Sequence, residues 1–121
     1  MMTYSEIKKS LSLLSSPIDK LDMVMELGKN LTKVPESAVC TEIVGCSSFV
    51  QICKDGNHFY GVADSAMVRG IVAIMLAMVD GKSISEIKKM DLNSEFESLH
   101  LNFGAGRLNG IQSMISFFKN L

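Results

Sequence analysis

Two glycine turns set close together constrain this chain more than any other feature. Val44-Gly45-Cys46 and Asp55-Gly56-Asn57 divide residues 38–62 into three short runs. The runs are Ala38 to Ile43, Ser48 to Lys54 and His58 to Val62, each too short for a stable helix and each with β-branched or aromatic residues. Asp-Gly is a strong hairpin signal. A parallel pair would need a crossover of a dozen or more residues, so runs joined this tightly must form an antiparallel meander. Side chains alternate along a strand, which puts Val50 and Ile52 on one face of the second run and Phe49, Gln51 and Cys53 on the other.

On either side of these runs the apolar period is helical. Thr3-Tyr4-Ser5-Glu6 is a capping box, followed by Ile7, Leu11 and Leu14. Pro17 opens a second amphipathic helix, a position where its missing N–H costs nothing. That helix carries Ile18, Leu21, Val24, Met25 and Leu31, interrupted by Gly28. From Asp64-Ser65 an almost wholly apolar helix runs to about Val79, as a helix buried on most sides does. Ser83-Ile84-Ser85-Glu86 is a second capping box, with Ile84, Ile87 and Met90 turned inward. A short helix around Ser94 to Leu99 and a last one from Arg107 to Lys119 follow, the latter with Leu108, Ile111, Ile115 and Phe118 on its apolar face. The pattern predicts a single α+β domain over residues 1–121, a three-stranded antiparallel sheet with helices packed on one face.

Composition excludes several functions. A net charge of −1 argues against nucleic acid or an anionic membrane surface as partner. The longest apolar run, Ile71 to Val79, is far short of the roughly 20 residues of a membrane span. Residues 1–6 have no basic stretch leading into an apolar run, so they do not read as a secretory signal. Cys40, Cys46 and Cys53 are spaced C-x5-C and C-x6-C, which matches neither a CxxC redox motif nor a zinc pattern. They read as reduced thiols in a cytoplasmic protein.

Cys46 is the candidate reactive group. Gly45 takes positive φ without steric cost, so the cysteine sits at a hairpin tip from which a sulfur can be presented. The alternative is a thiol that merely packs, as free cysteines commonly do. Cys40 and Cys53 read as structural, with resolving or metal-binding partners of Cys46 as the alternative. Asp64 is a helix cap, alone or while also anchoring the cysteine loop. Arg69, on an apolar helix, must reach solvent or a carboxylate. His58 lies beside a turn in solvent, and His100 is a candidate base for Cys46 only if the fold brings the two together.

Four stretches then resemble one family. Glu26-Leu27-Gly28-Lys29-Asn30-Leu31 is similar to an E-L-G-x-x-L motif, and Gly45-Cys46-Ser47-Ser48-Phe49-Val50 to G-C-x-S-x-V. Asp64-Ser65-Ala66-Met67-Val68-Arg69-Gly70 is similar to D-[SA]-A-x-[VI]-[KR]-G, and Arg107-Leu108-Asn109-Gly110-Ile111-Gln112-Ser113-Met114 to R-x-[NQ]-G-[LI]-x-[AS]-M. Each is weak alone; together, in this order, they resemble the SufE-type sulfur acceptors of iron–sulfur cluster assembly. The chain departs from the pattern in two places: Gln51 stands where the family often has Trp, and His100 to Arg107 makes a longer turn where the family tends to have a Pro-containing loop before the final Arg.

The resemblance implies that Cys46 accepts persulfide sulfur from a SufS-type cysteine desulfurase, stimulates that enzyme, and passes the sulfur to a SufBCD-type scaffold. It implies Gly45, Ser47, Ser48 and Asp64 as the supporting loop, and Arg69 and Arg107 as partner contacts. The implied protein is a monomer or homodimer. It holds no metal and no cofactor beyond the transient persulfide on Cys46, and it is a transfer partner without small-molecule turnover of its own. The rival readings are an iron–sulfur or zinc scaffold module using Cys40, Cys46 and Cys53, and a cysteine hydrolase pairing Cys46 with His100.

Overall fold

Local signals account for most of the element boundaries in the structure, a computed structural model describing residues 2–121. Helix α1, Tyr4–Ser12, begins with the full capping box: the Glu6 N–H donates to Thr3 Oγ1 at 3.2 Å, and the Thr3 N–H to Glu6 Oε1 at 2.9 Å. Helix α2, Pro17–Gly28, has Ser16 as its cap and ends at Gly28, short of Leu31. Three strands follow: β1, Val39–Glu42, β2, Val50–Asp55, and β3, His58–Ala63. They form an antiparallel sheet in the order β1-β2-β3, as the turn spacing predicts. Gly56, φ +62°, makes the β2–β3 turn. Helices α3, Ala66–Val79, α4, Ile84–Lys89, α5, Leu92–Glu97, and α6, Ala105–Lys119, complete the chain. None of the described helices is long and apolar enough to cross a membrane.

Helix α3 is the centre of the core. Residues 70–79 of this helix are buried, apart from half-buried Ala77. One side lies on the sheet face carrying Val50, Ile52 and Ala63. There Gly61 allows close approach, since a Cβ on it would fall 2.4 Å from Val72 Cγ1. The other side crosses α2 at Gly28 and Gly70. A Cβ on Gly70 would come 2.0 Å from the Val24 carbonyl oxygen, and one on Gly28 2.5 Å from the Gly70 nitrogen. Gly28 is therefore a packing glycine at a helix crossing.

Helix α6 is tied to the sheet by Phe118, whose ring meets that of Phe59 edge-on at 5.5 Å between centroids. Its buried face is Gly110, Ile111, Met114, Ile115 and Phe118. Leu108, expected on that face, is 50% exposed: the helix starts two residues earlier than expected, and its first turn projects past the core. Ile84, also expected inward, is 38% exposed, while Ile87 of the same helix is buried.

The expectation of three reduced thiols is corrected here. Cys40 and Cys53 are directly opposed across β1 and β2 and are joined by a disulfide, with Cα atoms 3.9 Å apart. The physical reason is register: a hairpin centred between residues 46 and 47 pairs position 40 with position 53.

Candidate functional site

Cys46 occupies the loop between β1 and β2 and is, among the described residues, the one free cysteine. Its loop does not stand free in solvent. It leans on the middle of α6, where two residues without bulk permit the contact. Gly45 takes φ +97°, and a Cβ there would fall 2.5 Å from Ser113 Oγ. On the facing helix, a Cβ on Gly110 would fall 3.2 Å from Cys46 Sγ. The Cys46 S–H points at the Gly110 carbonyl oxygen, 3.8 Å away, a long and weak hydrogen bond. The Ser113 hydroxyl is turned back onto its own helix, donating to the Asn109 carbonyl at 3.0 Å.

The sulfur is half-buried in a recess of about 10 Å³, lined by Cys46, Ser47, Ser48, Val68, Ile71, Gly106, Arg107, Gly110 and Met114. That is room for about one water-sized atom. Its lining comes from α3, α6 and the loop itself, so the core that buries Ile71 and Met114 also shapes the site. A wider cleft, which shares Ser47, Ser48, Val68, Gly106 and Arg107 and adds Ser65 and Gly104, lies beside it. Burial pushes the Cys46 thiol up from its ordinary pKa, because a thiolate loses hydration there. At rest the group is held as the less reactive thiol.

The structure brings together Cys46, Ser47, Ser48 and Arg107. Arg107 is exposed at the start of α6, and among the described residues its guanidinium has no carboxylate partner. Arg69 is different. Its Nε donates to the Ala63 carbonyl at 2.9 Å and its Nη2 to the Asp64 carbonyl at 3.3 Å, so it braces the corner between β3 and α3. Asp64 contributes through its backbone, its N–H donating to the Phe49 carbonyl at 3.3 Å where the cysteine loop re-enters the sheet. The expected Asp64 cap is corrected: Ser65 caps α3, accepting from the Val68 N–H, because Ser65 is the last residue with extended backbone before the helix.

Neither histidine is among the residues lining the Cys46 recess. His100 stands exposed after α5 with φ +52°, and His58 pairs with Asp80 at 3.4 Å on the far turn. The structure therefore does not bring His100 to Cys46 as the base that the hydrolase reading needs. The three cysteines do not converge as ligands either, since Cys40 and Cys53 are bonded to each other. Among the described residues no group of three His, Cys, Asp or Glu side chains is placed to hold a metal ion.

Sequence reasoning missed two features of this site. Gly110 was legible only as part of a motif, because its partner Cys46 is 64 residues away. The disulfide did leave a signal. Cys40 and Cys53 lie six and seven residues from Cys46, nearly symmetric about the turn.

Comparison with known proteins supplies the family. Residues 5–121 match the profile described as SufE: Fe-S metabolism associated domain. An uncharacterized SufE-like protein of Rhizobium meliloti (strain 1021) is 33% identical, the alignment covering 99% of this chain and 94% of that protein. The sulfur acceptor protein CsdE of Escherichia coli (strain K12) is 28% identical over 93% of this chain and 83% of its own length. The cysteine desulfuration protein SufE of Wigglesworthia glossinidia brevipalpis is 28% identical over 84% and 76%. With its sequence matched from residue 5 to its last residue, this chain belongs to the SufE family.

Proposed function

We propose that this chain is a sulfur acceptor that takes persulfide sulfur onto Cys46 from a SufS-type cysteine desulfurase. It stimulates that enzyme and delivers the sulfur to a SufBCD-type assembly scaffold in the cytoplasm. The Cys46 thiolate attacks the outer sulfur of the desulfurase persulfide. A new S–S bond forms at Cys46, the donor S–S bond breaks, and the donor leaves as a thiolate. Sulfane sulfur moves with no net oxidation, so one cysteine suffices.

The observation that carries this reading is the one-atom recess around the free Cys46 sulfur. A persulfide adds one atom to a cysteine, and Val68, Ile71 and Met114 would shield that atom from water and small thiols between partners. The loop has two positions, sheltered against α6 and turned outward, and docking favours the second. Exposed Val44 (84%) and Leu108 (50%) near the loop supply apolar surface for a partner to cover. Arg107 supplies a cation at its rim, and Arg69 acts through the corner it braces. The names of the related sulfur acceptor and cysteine desulfuration proteins support the same chemistry.

The test is intact-protein and peptide mass spectrometry after incubation with a desulfurase and cysteine. The expected result is a gain of one sulfur atom on Cys46, lost in Cys46→Ala together with stimulation of the desulfurase. Sulfur found on another residue, or stimulation undiminished in Cys46→Ala, would overturn the reading.

A further inference from the structure

The thiol chemistry of the chain extends beyond Cys46. The disulfide Cys40–Cys53 crosses the stem of the hairpin that carries Cys46 at its tip. Its two halves are unlike: Cys40 is exposed on the edge strand, whereas Cys53 is wholly buried. All four residues of β1 are exposed, and β2 is its one neighbour in the sheet. Besides the strand ladder, β1 is flanked by a hydrogen bond from Ser37 Oγ to Asp55 Oδ2 at 2.6 Å. At its other end the Ile43 N–H donates to the Val50 carbonyl at 2.8 Å. The disulfide is thus the one covalent cross-link on a strand with little burial of its own.

We propose that Cys40–Cys53 is a second thiol–disulfide exchange site, with a dithiol reductant as its substrate class, and that its redox state sets how firmly the stem of the Cys46 hairpin is held. A thiolate of the reductant attacks the sulfur of Cys40, the exposed residue of the pair. The bond to Cys53 breaks, and Cys53 leaves as a thiolate that takes up a proton. The second thiolate of the reductant then attacks its own sulfur in the mixed disulfide and releases Cys40, which is protonated in turn. The reductant ends as a disulfide, oxidised by two electrons, and the protein gains two electrons and two protons. With the link closed, β1 cannot part from β2. With the link open, a four-residue edge strand frays by local opening, and the loop at residues 43–49 follows.

The inference goes beyond sulfur acceptance, and its readouts need no desulfurase. The full chain is equilibrated in dithiothreitol buffers of graded oxidised-to-reduced ratio, quenched with an alkylating reagent and mapped by mass spectrometry. Cys40 and Cys53 are expected to gain their labels together, as one two-electron couple. A brief pulse of glutathione is expected to leave a mixed disulfide on Cys40. Hydrogen exchange of the amides of residues 39–46 is expected to be several-fold faster in the reduced protein. The double variant Cys40→Ser/Cys53→Ser is expected to match the reduced protein under both conditions. Independent labelling of the two cysteines, a mixed disulfide on Cys53, or identical exchange in the two redox states overturns the proposal. Oxidised and reduced wild-type protein give the exchange comparison even if the double variant does not fold.

Discussion

At the residue scale, the site depends on what Gly110 lacks. A methyl group there would sit 3.2 Å from Cys46 Sγ, and the loop would have to yield by a few tenths of an ångström. In the interior of a helix, Ala is favoured over Gly by about 1 kcal/mol. Gly110→Ala should therefore leave thermal stability equal or higher while Cys46 is alkylated a few-fold faster. An unchanged alkylation rate would mean that this contact does not shelter the thiol. Burial also predicts a pH effect. Because folding holds the Cys46 pKa above its ordinary value, the midpoint of the rise of alkylation rate with pH should lie, in the native protein, above the value of about 8.5 at which a free thiol is half-ionised. Rates measured from pH 7 to 10 on native and urea-unfolded chains check the sign, with the native curve displaced to higher pH. Arg107→Ala should weaken stimulation of the desulfurase by about tenfold or less. Arg107→Lys should recover part of it, and neither should change the bare alkylation rate.

At the scale of elements, capping and close helix contact make opposite demands on small residues. Ser65 caps α3 with its hydroxyl, whereas the Asp64 side chain takes no part. Ser65→Ala should lower stability by about 1 kcal/mol in urea unfolding, and Asp64→Ala should leave it nearly unchanged. A loss at Asp64 equal to that at Ser65 would reverse the assignment. At the α2–α3 crossing, alanine is the harmful residue. Gly70→Ala brings a methyl onto the Val24 carbonyl, so the helices must separate, at a cost of about 1–3 kcal/mol. The same method measures it, and a gain in stability would show that the crossing can relax. The acidic members of the caps, Glu6, Glu86 and Asp91, are held below the usual carboxylate range by hydrogen bonds from Thr3, Ser83 and Ser94. What they contribute is present above the unfolded carboxylate pKa and disappears as pH falls through their lowered values.

At the scale of the whole molecule, the question is whether Cys46 is released by local or global opening. Its loop is held by α6 through one weak hydrogen bond and a few apolar contacts, while the core behind it is closed by Ile71, Met114 and Phe118. Labelling of Cys46 should therefore be nearly independent of urea below the unfolding transition, the mark of a small local opening. Labelling that tracks global unfolding would rule out the two-position loop.

What the sequence determined by itself is whatever acts over a few residues. Both capping boxes, the Asp55-Gly56-Asn57 turn, the order of strands and the apolar period of α3 could be read directly, since each depends on neighbours in the chain. So could the candidate loop around Cys46, where a glycine, a cysteine and small residues adjoin. Only the tertiary structure decided which distant groups meet. It set Gly110 against Cys46, put Arg107 at the recess and Arg69 at the corner, left His100 elsewhere, and closed Cys40 onto Cys53. These follow from strand register and from the approach of helices, which a shift of one residue or one ångström would change; of them only the disulfide left a local trace, in the near-symmetric spacing of Cys40 and Cys53 about the turn.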